Sequence, residues 1–559
     1  MRFQHLLYHN DLLCGKGMDV SEVTIDGRSL TLDAVEVVAR QGGTTLVYAD
    51  SALKASRRSR DLKLGLIDTG QPIYGVTTGF GDSVTNQIAP QKAAELQRHL
   101  IRYHLNGTGP LAPAEVVRAT LLIRANCLAR GNSGVQPDVV ERLLDLLRHD
   151  VLPQVPERGS VGASGDLVPL CYVAATLIGE GEVTYQGQTR DAGDVLAELG
   201  LEAIVPEAKD GLGLINGTSF SAAFASLAIR DAQRIANAAD VCTALASEAL
   251  LGNRGHYAPF IHDNRPHRGQ ITSAGLLFAL LDGSQLSLPH DQVVSLNDSL
   301  DGAGHGRLKR SIQDRYSLRC APHVNGVLRD TLTWVEDWMT TEINASTDNP
   351  LFDVEAGAVH SGGNFYAGHV VQAMDSLKVA TASVADLLDR QLQLMVDAKF
   401  NNGLTENLIH RVEGDAWEKG LHHGFKGMQI ACSSLTAEAL KHSGPATVFS
   451  RSTEAHNQDK VSMAPIAARD ARRITELTRE VAAIHLLAAC QALDLRGIDG
   501  MSPRTRAVHA LIRTVAPFVD ADRRMDGDIK AVVALISSGS IERAAQITDT
   551  ATAPAEAAA

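Results

Sequence analysis

Residues 370–395 read VVQAMDSLKVATASVADLLDRQLQLM, and the spacing of side chains in this stretch decides the fold class. One face repeats every three or four residues, through Met374, Leu377, Thr381, Val384, Leu388, Gln391 and Met395. Apart from Thr381 and Gln391 this face is apolar, whereas the other side carries Asp375, Lys378, Asp386, Asp389 and Gln393. That period is typical of an amphipathic helix. The stretch therefore predicts a helix of about eight turns with its charged residues in solvent.

The same period returns on both sides of this stretch. Residues 477–495 repeat it, and so do residues 117–128, which follow Pro113 at a predicted first helical turn. Aromatic residues make up only 4 % of the chain, and strand signals are few. Residues 182–185, EVTY, predict one small hairpin at most. We therefore expect a mainly α protein built on a long central helical bundle.

Glycines gather in three clusters near the beginning of the chain, at Gly75, Gly79 and Gly81, at Gly159, Gly162 and Gly165, and at Gly211, Gly213 and Gly217. Such clusters between periodic segments indicate loops. The expected organisation is a loop-rich N-terminal domain at 1–220, a long-helix domain at 221–510 and a C-terminal helical segment at 511–559. The last nine residues, ATAPAEAAA, predict a frayed tail.

The composition indicates a globular protein and excludes several kinds of partner. Of 559 residues 44 % are hydrophobic, and 52 Lys and Arg stand against 65 Asp and Glu, which gives a net charge of −13. Such a charge disfavours nucleic acid. The one basic cluster has helical spacing and predicts a solvated helix face, formed by Lys54, Arg57, Arg58, Arg60 and Lys63. Because no stretch reaches the ~18 apolar residues that cross a membrane and the N-terminus lacks a secretory signal, we expect a cytoplasmic protein without membrane contact.

Generic metal, nucleotide and hydrolase motifs do not occur in the sequence. His256, His262 and His267 form no His-Glu-x-x-His pattern, and the run at 75–81 lacks the Gly-Lys-Ser/Thr of a phosphate loop. The segment GASGD at 162–166 has aspartate where a nucleophile elbow requires glycine. Seven cysteines are never spaced as Cys-x-x-Cys and are predicted to be small buried residues. We expect no metal and no nucleotide cofactor.

The residue types at 163–165 suit an intramolecular reaction. If the Gly165 nitrogen attacks the Ala163 carbonyl, a five-membered ring forms, and loss of the Ser164 hydroxyl as water leaves an exocyclic methylene, which is an electrophile. Small residues on both sides of Ser164 leave room for the backbone to close. The alternative is an ordinary turn, in which Ser164 or Asp166 caps a helix beginning near Leu167.

This stretch and five further blocks resemble the aromatic amino acid ammonia-lyase and aminomutase family, which includes histidine, phenylalanine and tyrosine ammonia-lyases. The blocks lie in the family's order between about residues 50 and 501, as YGVTTGFG at 74–81, LINGT at 214–218, QDRYSLR at 313–319, GGNF at 362–365 and HNQD at 456–459. The family builds a methylidene-imidazolone group, MIO, from Ala-Ser-Gly. The resemblance implies that Ala163, Ser164 and Gly165 form this group.

The resemblance also implies roles for side chains. Tyr74 would be the base that removes the β-proton of the substrate, which requires its neighbours to lower its pKa. Arg319 would bind the substrate carboxylate through its planar fork. Asn216 and Tyr316 would lie beside the MIO group as hydrogen-bond donors. The remaining implied pocket residues are Gln313, Asn364, Phe365 beneath the ring, Lys426, Glu454 and Gln458.

Tyr103 and His104 stand where the family selects its substrate. Phenylalanine lyases have an apolar pair there, tyrosine lyases His-Leu and histidine lyases Ser-His, so Tyr-His fits none of them, although His104-Leu105 one residue later is the tyrosine pair. Gln458 and GFKG at 424–427 resemble the phenylalanine and tyrosine branch, because histidine lyases carry glutamate at the position of Gln458. A bare phenyl ring would leave two polar side chains unpaired, so tyrosine is the first expectation and phenylalanine the second.

The implied function is loss of ammonia from L-tyrosine or L-phenylalanine to give a coumarate- or cinnamate-type acid. Three alternatives stay open, namely a 2,3-aminomutase that returns ammonia to the β-carbon, a histidine ammonia-lyase, and a helical scaffold without catalysis. The resemblance further implies a homotetramer in which three chains build each active site. Long helices with exposed apolar stripes make self-association reasonable on physical grounds as well.

Overall fold

The computed structural model of the protein describes residues 21–410 and 420–547, and this part of the chain is mainly helical, as expected. Its helices are α1 (Leu32–Arg40), α2 (Asp50–Asp68), α3 (Ala93–Tyr103), α4 (Ala114–Ala129), α5 (Pro137–Arg148), α6 (Leu167–Leu177), α7 (Ala192–Glu198), α8 (Asp210–Ile215), α9 (Ser219–Ala249), α10 (Pro259–Asp263), α11 (Arg268–Leu280), α12 (His290–Ser295), α13 (Tyr316–Arg319), α14 (Ala321–Glu342), α15 (Gly368–Val396), α16 (Lys426–His442), α17 (Ala464–Arg496), α18 (Pro503–Arg513), α19 (Asp526–Ser537) and α20 (Ser540–Ala544).

The strands are short and form four small sheets in the described residues, so the expectation of one hairpin at most is wrong. They are β1 (Glu22–Ile25), β2 (Thr45–Tyr48), β3 (Thr108–Leu111), β4 (Leu152–Pro153), β5 (Pro156–Arg158), β6 (Glu182–Tyr185), β7 (Gln188–Asp191), β8 (Leu351–Asp353) and β9 (Ala358–His360). The sheets are β1-β2, which is parallel, and the antiparallel β3-β5, β4-β6-β7 and β8-β9. The predicted β6-β7 hairpin is present, with Gln186 and Gly187 both at positive φ in its two-residue turn.

The described chain divides into two compact units, each assembled from separate stretches. Unit 1 comprises residues 21–227, 339–368 and 449–465, and it contains all the strands described above. Unit 2 comprises residues 228–338, 369–410, 420–448 and 466–547 and holds most of the longest helices. The three-segment domain division expected from the sequence stays a prediction.

Unit 2 contains the predicted helical bundle. Side chains of α9 form ion pairs or hydrogen bonds with three other long helices, α14, α15 and α17. The pairs are Asp240–Arg329 at 2.8 Å, Thr243–Gln391 at 2.9 Å and Asp231–Arg479 at 3.2 Å. Apolar stripes face the same partners, since Leu377, Leu388 and Ile484 are buried. The predicted helix at 370–395 is confirmed as α15, with bounds two residues wider at its start and one at its end.

The charged face predicted for α15 lies only partly in solvent, where Asp386 pairs with Arg390. Asp375, Lys378 and Asp389 are all buried, with 6 %, 0 % and 3 % of their surface exposed. Lys378 Nζ lies 2.8 Å from Asp375 and donates to the Gly444 carbonyl at 2.7 Å, while Asp389 accepts from Ser433 of α16. These three charges of α15 are therefore buried with polar partners.

Asp375→Asn is expected to lower the free energy of unfolding by about 3 kcal/mol, because the buried Lys378 would lose its nearer carboxylate and keep only a long pair with Asp470 at 3.9 Å. Although burial alone would raise the pKa of Asp375, hydrogen bonds from Lys378, Thr447 and Ala446 lower it. A lowered pKa means that this stabilisation is complete above the unfolded-state value near 4 and is lost as the pH falls further. Urea unfolding at pH 7 and below pH 4 measures both effects. The matched control is Asp386→Asn on the same helix, whose exposed pair with Arg390 is worth less than about 1 kcal/mol, and equal losses for the two variants would contradict the prediction.

Two further expectations are changed by the fold. The basic cluster does lie on one helix, α2, but its member Lys63 is completely buried. The buried ammonium donates to the Ala208 carbonyl at 2.8 Å and pairs with Glu207 at 3.5 Å.

Cys127, Cys171, Cys242, Cys432 and Cys490 are buried as expected, whereas Cys320 is half-buried. Cys14, the N-terminal segment and the predicted frayed tail at 551–559 lie outside the described residues. Within the described ranges, no helix combines the length and apolarity needed to cross a membrane.

Candidate active site

Ala163, Ser164 and Gly165 lie in a tight turn between β5 and α6. The backbone φ is +74° at Gly162, +54° at Ser164 and +77° at Gly165. A β-carbon on Gly165 would collide with the carbonyl oxygen of Gly217, so this position requires glycine. Because serine rarely adopts a positive φ, surrounding contacts must hold Ser164 in this strained conformation.

A second loop supplies one of those contacts through Gln458. The Gln458 amide Nε2 donates to Ser164 Oγ at 3.3 Å, and its Oε1 accepts from Thr453 Oγ1 at 3.0 Å. The residues between Thr453 and Gln458 make a turn in which three successive non-glycine positions have positive φ, namely Glu454, Ala455 and His456. This turn brings a polar amide to the one hydroxyl that the proposed ring chemistry would eliminate.

Asp166 follows the turn but does not cap the helix after it. Helix α6 begins at Leu167 as predicted, and no cap bond forms from the Asp166 side chain. Its carboxylate Oδ2 instead accepts from the amide and the hydroxyl of Ser221, at 2.7 and 2.9 Å. Burial raises the pKa of Asp166 to about 7 against these hydrogen bonds. Capping by Asp166 therefore does not explain the turn.

Tyr74 is half-buried in the second glycine-rich loop, and its hydroxyl accepts a hydrogen bond from the Gly81 amide at 3.0 Å. Burial raises the pKa of Tyr74, the negative charge of Glu454 adds to this, and only the Gly81 hydrogen bond opposes it. The expectation of a lowered pKa is wrong for this arrangement. One backbone donor does not outweigh desolvation and a neighbouring carboxylate.

Glu454 closes the loop that carries Tyr74. Both of its carboxylate oxygens lie 3.0 Å from the Asp82 amide nitrogen, at the start of a short 3-10 segment that spans Gly81–Thr85. A β-carbon on Gly81 would collide with this carboxylate. A negative charge is favourable at that position because the first amides of a helical turn point toward it. Glu454 thus contacts the protein backbone, and the substrate-binding role expected for it stays a prediction.

Asn216 ends α8 with its side chain buried. Its amide Nδ2 donates to the Asn349 carbonyl at 2.9 Å and to Asp348 Oδ1 at 3.3 Å, which uses both N–H groups. Its Oδ1 is buried and has no hydrogen-bond partner among the described residues. The expected donor role for Asn216 therefore does not fit this geometry. The group left for a ligand is an acceptor.

Tyr103 and His104 end α3 with their ring centroids 4.2 Å apart. His104 Nδ1 lies 3.0 Å from the Leu100 carbonyl oxygen, so Nδ1 carries the proton and Nε2 is left as an acceptor in the neutral ring. Burial lowers the pKa of His104, opposed by this bond to Leu100. At neutral pH the ring is therefore uncharged.

The pKa of Tyr103, like that of Tyr74, is raised. Burial raises the pKa of Tyr103 to about 12, with smaller contributions from Cys171, Tyr74 and Glu454, although 57 % of the residue's surface remains exposed. Tyr103 and Tyr74 both lie in unit 1.

Three other predicted residues form a group in unit 2. The Arg319 guanidinium lies over the ring of Tyr316, 4.5 Å from its centroid, and Nε donates to the Asp314 carbonyl at 3.1 Å. The Gln313 side-chain oxygen, in the amide orientation that satisfies both partners, accepts from Arg319 at 3.2 Å. Tyr316 is 73 % exposed. Lys426, also in unit 2, is the exposed first residue of α16.

Asn364 and Phe365 follow β9 in unit 1. Asn364 is exposed and its Nδ2 lies 3.5 Å from the Ser346 carbonyl oxygen, while Phe365 is half-buried. The structure therefore divides the predicted site residues between the units. Unit 1 contains Tyr74, Tyr103, His104, Ala163, Ser164, Gly165, Asn216, Asn364, Phe365, Glu454 and Gln458, and unit 2 contains Gln313, Tyr316, Arg319 and Lys426.

Sequence reasoning missed three buried charges next to Asn216. Arg124, completely buried in α4, donates to the carbonyls of Gly213, Asn216 and Thr347. Lys209 and Asp348 form an ion pair at 2.7 Å with neither side chain exposed. One signal was available, because Arg124 stands in the run LLIRANCLA at 121–129, which is otherwise apolar except for Asn126. A charge is rare in such a run unless it has partners.

A sequence-family profile described as aromatic amino acid lyase matches residues 30–514. The chain belongs to the aromatic amino acid lyase family. As a member of this family the protein is a carbon–nitrogen lyase. The expected family is confirmed, and so is the enzyme class.

Relatives of this aromatic amino acid lyase carry different activities in their names. It is 40 % identical over 530 residues to the MIO-dependent tyrosine 2,3-aminomutase of Streptomyces globisporus, covering 94 % of this chain and 97 % of that protein. It is 39 % identical over 524 residues to the histidine ammonia-lyase of Gloeobacter violaceus, covering 94 % and 97 %. It is also 39 % identical over 521 residues to the tyrosine ammonia-lyase of Cupriavidus metallidurans, covering 92 % and 96 %.

Solved structures agree with the fold. The crystal structure of the tyrosine aminomutase from Streptomyces globisporus superimposes with a TM-score of 0.89 at 38 % identity, covering 94 % of this chain and 99 % of that one. The phenylalanine aminomutase of Pantoea agglomerans gives a TM-score of 0.87 at 31 % identity, covering 92 % and 98 %. The fold is therefore that of this family's lyases and aminomutases.

Proposed function

We propose that the protein is an aromatic amino acid ammonia-lyase that uses an MIO group made from Ala163, Ser164 and Gly165, with tyrosine as preferred substrate. The observation that carries the proposal is the grouping in unit 1, where Gln458 contacts the Ser164 hydroxyl at 3.3 Å and Tyr74 is held by Gly81. The relatives named tyrosine ammonia-lyase and tyrosine 2,3-aminomutase support the choice of substrate.

The residues at the turn fit such a group. Gly165 and Ala163 present no large side chain to the closing ring, and the strained φ of Ser164 departs from an ordinary turn. Closure joins the Gly165 nitrogen to the Ala163 carbonyl carbon and releases two waters, one carrying the Ala163 oxygen and the other the Ser164 hydroxyl. When formed, the MIO group supplies an electrophilic methylene that captures the substrate nitrogen and makes it a better leaving group.

Tyr74 is the proposed base for the β-proton. A phenol must lose its proton to act as a base, and a raised pKa makes the phenolate a stronger base but a rarer one at neutral pH. The Gly81 amide supports the phenolate because it donates to the same oxygen. Tyr74 in this chain therefore works best on the alkaline side of neutrality.

Arg319 is the proposed carboxylate-binding residue. Its stacking on Tyr316 and its bonds to Asp314 and Gln313 fix the plane of the guanidinium, and a fixed fork loses little entropy when it binds a carboxylate. Because Tyr316 is 73 % exposed in one chain, a site that excludes water needs additional cover. This supports the proposal of a homotetramer whose sites are completed by other copies.

Tyrosine is favoured by the chemistry of His104. Since Nδ1 is occupied by the Leu100 carbonyl, the neutral ring offers Nε2 as an acceptor, and a phenol hydroxyl is a matching donor. A phenyl ring offers no donor. The second candidate is a tyrosine 2,3-aminomutase, which the 40 % identity to the Streptomyces globisporus protein favours.

Product analysis tests this proposal. Purified protein is incubated separately with L-tyrosine, L-phenylalanine and L-histidine, and the products are identified by chromatography and mass. A free coumarate-type acid from tyrosine is the expected result. Accumulation of β-tyrosine would identify an aminomutase instead, and turnover of histidine alone would overturn the substrate assignment.

His104→Leu is expected to reduce the preference for tyrosine over phenylalanine, measured as the ratio of kcat/KM values, by about 10- to 100-fold. The reason is that the variant loses the acceptor for the phenol hydroxyl and gains an apolar surface for a phenyl ring. The control is His99→Leu on the same helix, whose exposed imidazole pairs only with Glu95 at 3.5 Å. An unchanged ratio for His104→Leu would place the specificity elsewhere.

A further inference from the structure

We propose that Asp348 and Lys209 are positioning residues that hold the Asn216 amide with Oδ1 toward the substrate, where it accepts a hydrogen bond from the substrate amine. The inference rests on the proposed function and adds two residues to its site. Neither residue belongs to the sequence blocks discussed above. Both are completely buried in unit 1.

The orientation of the Asn216 amide follows from its partners. Nδ2 has two hydrogens and two acceptors, the Asn349 carbonyl at 2.9 Å and Asp348 Oδ1 at 3.3 Å. Turning the amide by 180° would place Oδ1 against these two acceptors, which repel it, and would remove one donor from each of them. The observed orientation is therefore strongly preferred. It leaves Oδ1 buried and unpartnered among the described residues.

Asn216, which carries that unpartnered oxygen, is adjacent in the chain to the backbone that pairs with the Ser164 turn. Asn216 directly precedes Gly217, whose backbone forms a parallel bridge with Gly165 and whose carbonyl accepts from the Asp166 amide at 2.6 Å. A buried carbonyl oxygen without a donor is unfavourable. A substrate amine carries the missing donors, so binding it removes this penalty and orients the nitrogen beside Ser164.

Lys209 keeps Asp348 in the form that accepts. Asp348 Oδ1 takes hydrogen bonds from the Asn349 amide at 2.7 Å and from Asn216, while Oδ2 takes the Lys209 ammonium at 2.7 Å. A buried carboxylate without its cation would take up a proton at a much higher pH. Protonated Asp348 could donate to Asn216 Oδ1 and so stabilise the reversed amide. Desolvation lowers the pKa of Lys209, Asp348 opposes this, and the nearby cations Arg124 and Lys63 lower it further.

Two double variants isolate the acceptor at position 348. Lys209→Met with Asp348→Asn and Lys209→Met with Asp348→Leu both remove the buried charges, but only the asparagine retains an oxygen for Asn216. With the amino acid that the wild type converts, kcat of the asparagine variant is expected within about 5-fold of wild type. The leucine variant is expected to lose about 100-fold in kcat, with a smaller change in KM. Equal kcat values for the two would overturn the proposal.

The single variant Lys209→Met gives a readout that a structural role would not move. Asp348 then has no cation to favour its carboxylate form, so kcat is expected to gain an extra ionisation, rising with pH as the acceptor form and the observed Asn216 orientation return. Adding Asp348→Asn is expected to remove that ionisation. The matched control is Lys63→Met, an equally buried lysine of unit 1 that pairs with Glu207, which should lose stability and keep the wild-type pH profile.

The outcomes separate this inference from the proposed function. An inactive wild type on all aromatic amino acids would reject the function. An active wild type with a uniform, pH-independent loss in Lys209→Met would reject the positioning role alone. If Lys209→Met proves insoluble, the comparison of the two double variants still decides, since neither leaves one member of the Lys209–Asp348 pair without the other.

Discussion

Ser164→Ala is expected to lower kcat by about 1000-fold or more, because the variant has no β-hydroxyl to eliminate and cannot form the methylene that captures the substrate nitrogen. Intact-mass measurement gives an independent readout. The wild-type chain should be lighter than its encoded mass by two waters, and the variant should not lose the second water, which carries the Ser164 hydroxyl. Any activity of Ser164→Ala near that of wild type would refute the proposed chemistry.

The control for this experiment is Ser226→Ala, a serine of unit 1 whose hydroxyl donates to the Ala222 carbonyl inside α9. It makes the same chemical change away from the turn and should keep both the two-water deficit and activity. The intact-mass measurement also tests the alternative that the protein is a helical scaffold without catalysis. A wild-type chain at its full encoded mass and without turnover would indicate a family member that has lost its chemistry.

Tyr74→Phe is expected to lower kcat by about 100- to 10 000-fold with a smaller change in KM, which is the range for removal of a general base. Burial and Glu454 raise the pKa of Tyr74, so the wild-type rate should increase with pH through the alkaline range as the phenolate forms. The variant should lose this alkaline rise. Steady-state kinetics between pH 7 and 10 measure both effects.

Tyr172→Phe is a close match as a control. The Tyr172 hydroxyl accepts a backbone hydrogen bond from Gly107 at 3.0 Å, just as Tyr74 accepts one from Gly81 at 3.0 Å, and both lie in unit 1. Each variant removes one such bond and should lose a similar amount of stability. Only Tyr74→Phe should lose turnover. If both variants lose kcat to the same extent, the effect of Tyr74 is structural.

Local patterns in the sequence were enough to predict three of the longer helices, α4, α15 and α17. The period in residues 370–395 predicted α15 to within two residues at each end, since helical spacing depends on near neighbours in the chain. The burial of charged residues on α15 could not be predicted in the same way. Lys378 donates a hydrogen bond to the Gly444 carbonyl, and Asp389 accepts one from Ser433. These partners lie about 40 to 70 positions later in the chain.

The functional site could likewise be predicted from the sequence only in part. The residue types at 163–165 and the family blocks indicated which side chains to examine, but not their electrostatics. The pKa of Tyr74 is raised partly by Glu454, and the Asn216 amide is turned by Asp348, so each depends on residues more than 100 positions away. No periodicity or motif in the sequence carries information of this kind. The fold brings these groups together, and the roles then follow from their contacts.

The residues that contact the Ser164 turn are also translated long after the turn itself. Gln458 and Met463, which contact Ser164 and Val161, leave the ribosome almost 300 residues after the turn they hold. At ordinary elongation rates that delay is about 15 to 60 seconds. A nascent chain therefore lacks these contacts to the turn through about half of its translation, and a product terminated before residue 449 never acquires them.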